Sequence, residues 1–171
     1  MSKFTVFIFS AVLAFFSGCA KNSSMDIPAV ADLDIEKYMG KWYEYARLPN
    51  RFEKNMRNVY AEYTMRRDGK TDVVNCGFDG KKTRCISGIA KSANQAAAGE
   101  LKVSFFRPFY GKYRIIYLDE KYTKALVTSS TFDYLWILSR ERKLPEKELN
   151  MLVMLAAEYG FDTESLIFPQ K

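Results

Sequence analysis

From Gly40 onward the chain alternates apolar and polar residues in short runs, with turn residues between them. Such runs cover 41–48, 58–66, 71–78, 83–91, 100–106, 112–119, 124–130 and 133–140, which predicts eight strands. The connectors carry turn chemistry: "RDGK" at 67–70, "DGKK" at 79–82 and "RPFYG" at 107–111. No crossover helix intervenes, so sequential strands should pair antiparallel. The period then changes. Leu149, Leu152, Val153 and Ala156 follow the spacing of one helical stripe behind Pro145, Glu146 and Glu148, and Gly160 supplies a stop. A short last strand is expected at 165–168. The pattern predicts an all-β fold, an eight-stranded antiparallel up-and-down β-barrel with one C-terminal α-helix packed outside. An interior of that size is either filled by side chains or holds one small ligand.

The start of the chain breaks this pattern. In "MSKFTVFIFSAVLAFFSGCA", Lys3 precedes an apolar run from Phe4 to Phe16 that is short for a membrane span. Ser17 and Gly18 then precede Cys19, which resembles the lipobox of bacterial lipoproteins, where the cysteine is acylated. Residues 1–18 therefore read as a lipoprotein signal peptide. Residues 19–33 read as an acylated tether of small and polar residues, and 34–171 as the folded domain. Ala20 in place of an aspartate after the cysteine points to the outer membrane. Export makes Cys76 and Cys85 candidates for a disulfide. A four-residue turn at 79–82 would set Cys76 opposite Cys85, facing outward; a two-residue turn would set Cys76 opposite Thr83 instead.

Of the 171 residues none is histidine, which removes Ser-His-Asp and Cys-His catalysis and histidine-ligated metal or haem; no cofactor is expected. The net charge is +6 and aromatics are 15% of the chain. Counting alternations puts Arg47, Arg51, Lys54, Arg57, Lys81, Lys82, Arg84 and Arg107 at one end of the barrel. Glu53, Asp79 and Asp133 oppose them, and Phe52, Phe106, Phe109 and Tyr110 form an aromatic lip. A basic rim suits anionic headgroups or a membrane surface. An exported chain with loop-borne basic residues gives no reason to expect nucleic acid.

Gly40-Lys41-Trp42-Tyr43-Glu44 resembles the Gly-x-Trp signature of lipocalins. Asp133-Tyr134 and Arg140 resemble the family's second and third motifs. "ARLPNRFEKN", "LKVSFFRPFYGKYRIIYLD" and "ALVTSSTFDYLWILSR" extend the likeness to the bacterial outer-membrane members and, more distantly, apolipoprotein D, over roughly 34–168. Trp42 and Arg140 should meet at the closed end as a structural floor, by cation–π stacking. Strand parity points Tyr63, Asn75, Val103, Phe105, Tyr113, Ile115 and Trp136 inward, together with Tyr117. The resemblance implies that the first seven line a ligand cavity. It implies an outer-membrane-anchored, periplasm-facing protein that stores or transports fatty acids, lysophospholipids or similar amphiphiles for envelope maintenance. The alternatives are a structural envelope lipoprotein with a filled barrel and a lipid-modifying enzyme. A homodimer could form through exposed aromatics at the mouth.

Overall fold

The computed structural model describes residues 26–93 and 97–170; the signal segment and Cys19 lie outside them. Eight strands run β1 Gly40–Arg47, β2 Arg57–Met65, β3 Thr71–Phe78, β4 Thr83–Ser92, β5 Glu100–Phe106, β6 Phe109–Leu118, β7 Lys124–Thr128 and β8 Leu135–Ser139. Each pairs antiparallel with the next, and β8 closes on β1 to complete the barrel. The eight strands expected of the barrel are all present. The 107–111 segment is not a five-residue loop, because Phe106 already pairs with Phe109 around a two-residue turn containing a cis Arg107–Pro108 bond.

Two apolar clusters divide the molecule. Trp42, Tyr63, Val73, Ala90, Ile115, Val127 and Leu138 belong to the cluster inside the barrel. The second lies outside, where Leu152 and Ala156 of helix α2, Glu146–Glu158, cover Tyr45, Ile116, Leu126 and Ile137. Leu149 and Val153 flank that contact, so the predicted stripe is the buried one. Lys124 of β7 meets Glu148 at 2.9 Å and ties the helix to the sheet. At the stop, Gly160 has φ +91° and its amide bonds to Ala157 O at 2.9 Å, followed by Phe161 N to Ala156 O at 3.1 Å.

Bulges change parity where simple alternation cannot follow it. The β6–β7 register slips between Ile115 and Tyr117. Ile115 stays inside, while Ile116 and Tyr117 both pack in the outer cluster. The expected inward placement of Tyr117 is therefore overturned. A second bulge in β1, at Tyr45, returns Arg47 to the interior, opposite Trp136.

The closed end is built by the chain's own beginning. Asp34 caps a short helix α1, Ile35–Tyr38, by accepting the amides of Glu36 and Lys37 at 3.1 and 3.3 Å. Tyr38 is buried beside Trp42. Before it, Val30 N donates to Ile115 O at 2.8 Å, and Val30 O accepts from Gly99 N at 2.9 Å. Ile27 packs in the outer cluster. The segment from Ile27 to Leu33, read from composition as the end of a tether, is thus already held against the barrel.

The residues after α2 seal a seam. β1 and β2 pair only over Gly40–Tyr43 and Tyr60–Tyr63. Beyond that, the chain's end fills the gap. Arg47 and Ile167 exchange backbone hydrogen bonds at 3.0 and 2.8 Å, and Asn58 N donates to Pro169 O at 2.9 Å. The Gln170 amide donates to Glu44 O at 2.9 Å and Val59 O at 3.2 Å. The strand expected at 165–168 is reduced to this one bridge at Ile167.

Candidate functional site

Trp42 starts β1 and Arg140 follows β8, so barrel closure brings them together. The guanidinium lies 4.0 Å from the Trp42 ring centroid. It donates to the carbonyls of Lys41 at 2.9 Å, Lys37 at 2.9 Å, Tyr38 at 3.0 Å and Tyr122 at 3.2 Å. The Trp42 indole donates to Tyr38 O at 2.9 Å. Arg140 thereby joins α1, β1 and the β6–β7 loop from below, and Trp42, with no exposed surface, plugs the floor.

Above the floor sits a chain of three hydroxyls. Tyr38 Oη lies 2.8 Å from Tyr113 Oη, and Tyr63 Oη lies 3.0 Å from it. Burial pushes all three phenols up: Tyr63 to about 12, Tyr38 and Tyr113 well above their ordinary 10.0. Tyr38 and Tyr63 are fully covered, but Tyr113 keeps accessible surface although its hydroxyl is strongly desolvated. Only a surface turned toward the barrel's lumen meets both conditions.

The same holds higher up. Asn75, Val103, Phe105 and Trp136 face inward and are half-buried. Ile86, whose partner is Asn75, is 39% exposed on the same inner face. Ile115 and Tyr63 also point inward but are buried in the packed layer beneath. Gly88 is needed at this level: a Cβ there would come 2.6 Å from Ser104 O and 2.7 Å from the Phe105 ring. The missing side chain is the space that ring occupies.

Nearer the mouth is a polar group that sequence reasoning misplaced. Arg47, expected on the solvated rim, is 1% exposed and stands inside the barrel. It donates to buried Glu44 at 2.5 Å and to Glu53 O at 2.6 Å. Glu53 in turn accepts the Trp136 indole at 3.0 Å and the Asn50 amide at 2.7 Å. Burial pushes the Glu44 carboxyl up, as does the neighbouring Glu53, and Arg47 opposes both. The "EYAR" spacing alone gives Glu44 and Arg47 opposite parity; the bulge puts them on one face. Their role in pinning the 48–56 loop to Trp136 was not readable without it.

The rest of the rim matches expectation more closely. Arg51, Lys54, Arg57, Lys81, Lys82 and Arg107 are exposed. Arg84 pairs with Asp79, whose carboxyl also accepts the Lys81 and Lys82 amides and is held down at about 2. Phe52, Phe106 and Phe109 are 64%, 70% and 77% exposed at this end. Cys76 and Cys85 are directly paired in register and joined by a disulfide. The four-residue turn is the one adopted, with Asp79 N bonded to Lys82 O at 3.1 Å. Among the described residues no cluster of acidic residues or cysteines could hold a metal ion.

An eight-stranded closed barrel, an arginine stacked on the tryptophan of its first strand, an outer C-terminal helix and inner-wall side chains that keep accessible surface define a calyx protein. The model of the lipocalin-like domain family matches residues 33–171. The outer membrane lipoprotein Blc of Vibrio cholerae is 40% identical over 148 residues, covering 85% of this chain and 86% of its own. That of Escherichia coli K12 is 38% identical over 85% and 83%. Apolipoprotein D of Mus musculus is 29% identical over 95% and 93%. Among solved structures, insecticyanin from the tobacco hornworm superposes with a TM-score of 0.71 at 19% identity, covering 87% of this chain and 86% of that one. The chain belongs to the lipocalin family. With its bacterial relatives at 38–40% identity, it is an outer membrane lipoprotein, and as a lipocalin it is a binding protein for small hydrophobic ligands.

Proposed function

We propose that the lumen holds a fatty acid, a lysophospholipid or a similar amphiphile, for storage or transport in envelope maintenance on the periplasmic side of the outer membrane. The observation that carries this reading is the accessible surface kept by inward-facing Ile86, Val103, Phe105, Tyr113 and Trp136. In a filled barrel these side chains would cover one another. Apolar walls with a few fixed polar groups suit a chain with a polar head. Asn75, Val103, Phe105, Tyr113 and Trp136 contact the ligand. Tyr63 and Ile115 support them from the layer below. The exposed phenylalanines and the basic rim face the bilayer from which the ligand comes. Proximity comes from an acylated Cys19.

The test has two arms. Protein purified from outer membranes is extracted with organic solvent, and co-purifying lipid is identified by mass spectrometry. Delipidated protein is then titrated with a fluorescent fatty acid. Saturable binding at one equivalent per barrel, displaced by the extracted lipid, is the expected result. No lipid in the extract and no saturable binding would leave the structural lipoprotein. Lipid returned chemically altered after incubation would make the protein an enzyme.

A further inference from the structure

Three described buried side-chain atoms have no hydrogen-bond partner: Arg47 Nε, Ser104 Oγ and Asn75 Oδ1. Arg47 Nε still has the Glu53 carboxylate 3.8 Å away. Ser104 pairs with Ile89 on the outer face of the sheet, out of phase with inward-facing Ala90 and Val103. Asn75 alone of the three carries its unanswered atom on the inner wall without a charged group beside it; the oxygen is covered, while the residue keeps some accessible surface. It is an amide in a wall of Ala61, Ile86 and Val73, where an unmade hydrogen bond is costly.

The tyrosine chain below carries a complementary surplus. Three hydroxyls own three protons, and their two mutual contacts use two. Whichever way the chain is oriented, one proton is left without an acceptor among the described residues. Tyr38 and Tyr63 are covered, so the triad can be reached only through Tyr113. The strongly raised phenol pKa values keep these groups as neutral donors. Asn75 is two residues nearer the mouth than Val73, which pairs with Tyr63. Asn75 and the level of the tyrosine chain are therefore adjoining rungs of the inner wall, one strand repeat of roughly 7 Å apart at the backbone, from which both side chains reach inward.

We propose that Asn75 and the Tyr38–Tyr113–Tyr63 chain form a polar subsite at the buried end of the lumen that takes an acyl chain oxygenated near its far end, such as an ω-hydroxy fatty acid. A hydroxyl is both donor and acceptor. It donates to Asn75 Oδ1 and accepts the proton that the tyrosines leave over. The carboxyl or other head stays at the mouth. This rests on the reading of the lumen as a lipid site and adds what its deep end selects.

The sign of the effect separates this subsite from a purely apolar one. In an apolar lumen a terminal hydroxyl loses its hydration without return, so it weakens binding. The test is displacement of a fluorescent fatty acid from the delipidated protein by hexadecanoic acid and by 16-hydroxyhexadecanoic acid, with thermal melting as the control for folding. The wild-type protein binds the hydroxy acid about fivefold tighter, the worth of roughly one matched hydrogen bond. Asn75→Leu reverses the order, so that hexadecanoic acid displaces the probe from this variant at a lower concentration than the hydroxy acid does. Tyr113→Phe does the same, and Asn75→Leu decides the matter if that variant melts early. Equal or weaker binding of the hydroxy acid by a wild-type protein that binds hexadecanoic acid overturns the subsite and leaves the lipid lumen standing. Binding of neither acid overturns both.

Discussion

At the scale of single residues, Arg140 does more for this barrel than its charge suggests. It donates to four main-chain carbonyls from three parts of the chain while stacking on Trp42. Arg140→Ala removes all of these at once and is expected to cost about 3–4 kcal/mol in denaturant unfolding. Arg140→Lys keeps the charge but not the planar fork, so it should recover less than half of the loss. The buried tyrosines make a pH prediction. Their folded pKa values lie above the ordinary 10.0, with Tyr63 at about 12. An upward shift means that the stabilisation is complete below about 10 and is lost as pH rises through about 12. Urea midpoints measured between pH 9 and 12 should fall more steeply for the wild type than for Tyr63→Phe. Parallel slopes would show that these phenols ionise freely. Trp42 and Arg140 were legible as a pair from their places at the two ends of the strand run. Glu44 and Arg47 were not, because a one-residue bulge decides which face each takes.

Among the elements, the last residues act as a ninth, incomplete strand. β1 and β2 separate above Tyr43, and Ile167, Pro169 and Gln170 satisfy the main-chain groups left open there. Truncation after Leu166 is expected to destabilise the protein by about 2–3 kcal/mol and to accelerate amide exchange at Arg47 and Asn58. Gln170→Ala alone should cost about 1 kcal/mol, with exchange at Arg47 unchanged. Uniform acceleration across all strands would mean that the tail acts globally and not at the seam. The strands and the outer helix were readable from period, since a half-buried strand and a one-faced helix leave different apolar spacings. The tail and the four-residue helix α1 were not. Each is too short to show a period and is held by main-chain hydrogen bonds that side-chain chemistry does not advertise.

For the whole molecule, the barrel presents a mouth rich in phenylalanine and basic residues, and a floor closed by its N-terminal segment. No helix among the described residues is long and apolar enough to cross a membrane. Attachment is expected at Cys19, from the small residues and apolar run before it, and needs more than one acyl chain to be stable. Because the chain is held to the barrel from Ile27 onward, the eight residue steps back to Cys19 can span at most about 29 Å. An acylated Cys19 would hold the barrel close against the bilayer surface. Cys19→Ala should abolish incorporation of a fatty-acid analogue and move the protein to the soluble periplasmic fraction. Retention of that variant in the outer membrane after a high-salt wash would place the anchor elsewhere.

Strand number, strand order and the outer helix follow from local pattern, whereas the Cys76–Cys85 pairing waited on the structure to choose the four-residue turn over the two-residue one. Alternation, turn residues and helical spacing are written residue by residue, and antiparallel order needs only short connections. The inward set on β2 and β3 follows as well, because parity runs there without interruption through the residues concerned, and on β5 it runs as far as Val103, after which the register shifts. What lies beyond a bulge does not follow: Tyr117 moves outside and Arg47 moves inside after single-residue slips that no side chain announces. Nor could the sequence say which inward residues remain accessible. Ile115 and Val103 are alike in chemistry and parity, but one is sealed under the tyrosine layer and the other lines the lumen. Depth in a closed barrel is set by how far side chains from facing strands reach across it. That is a property of eight strands at once and of none singly.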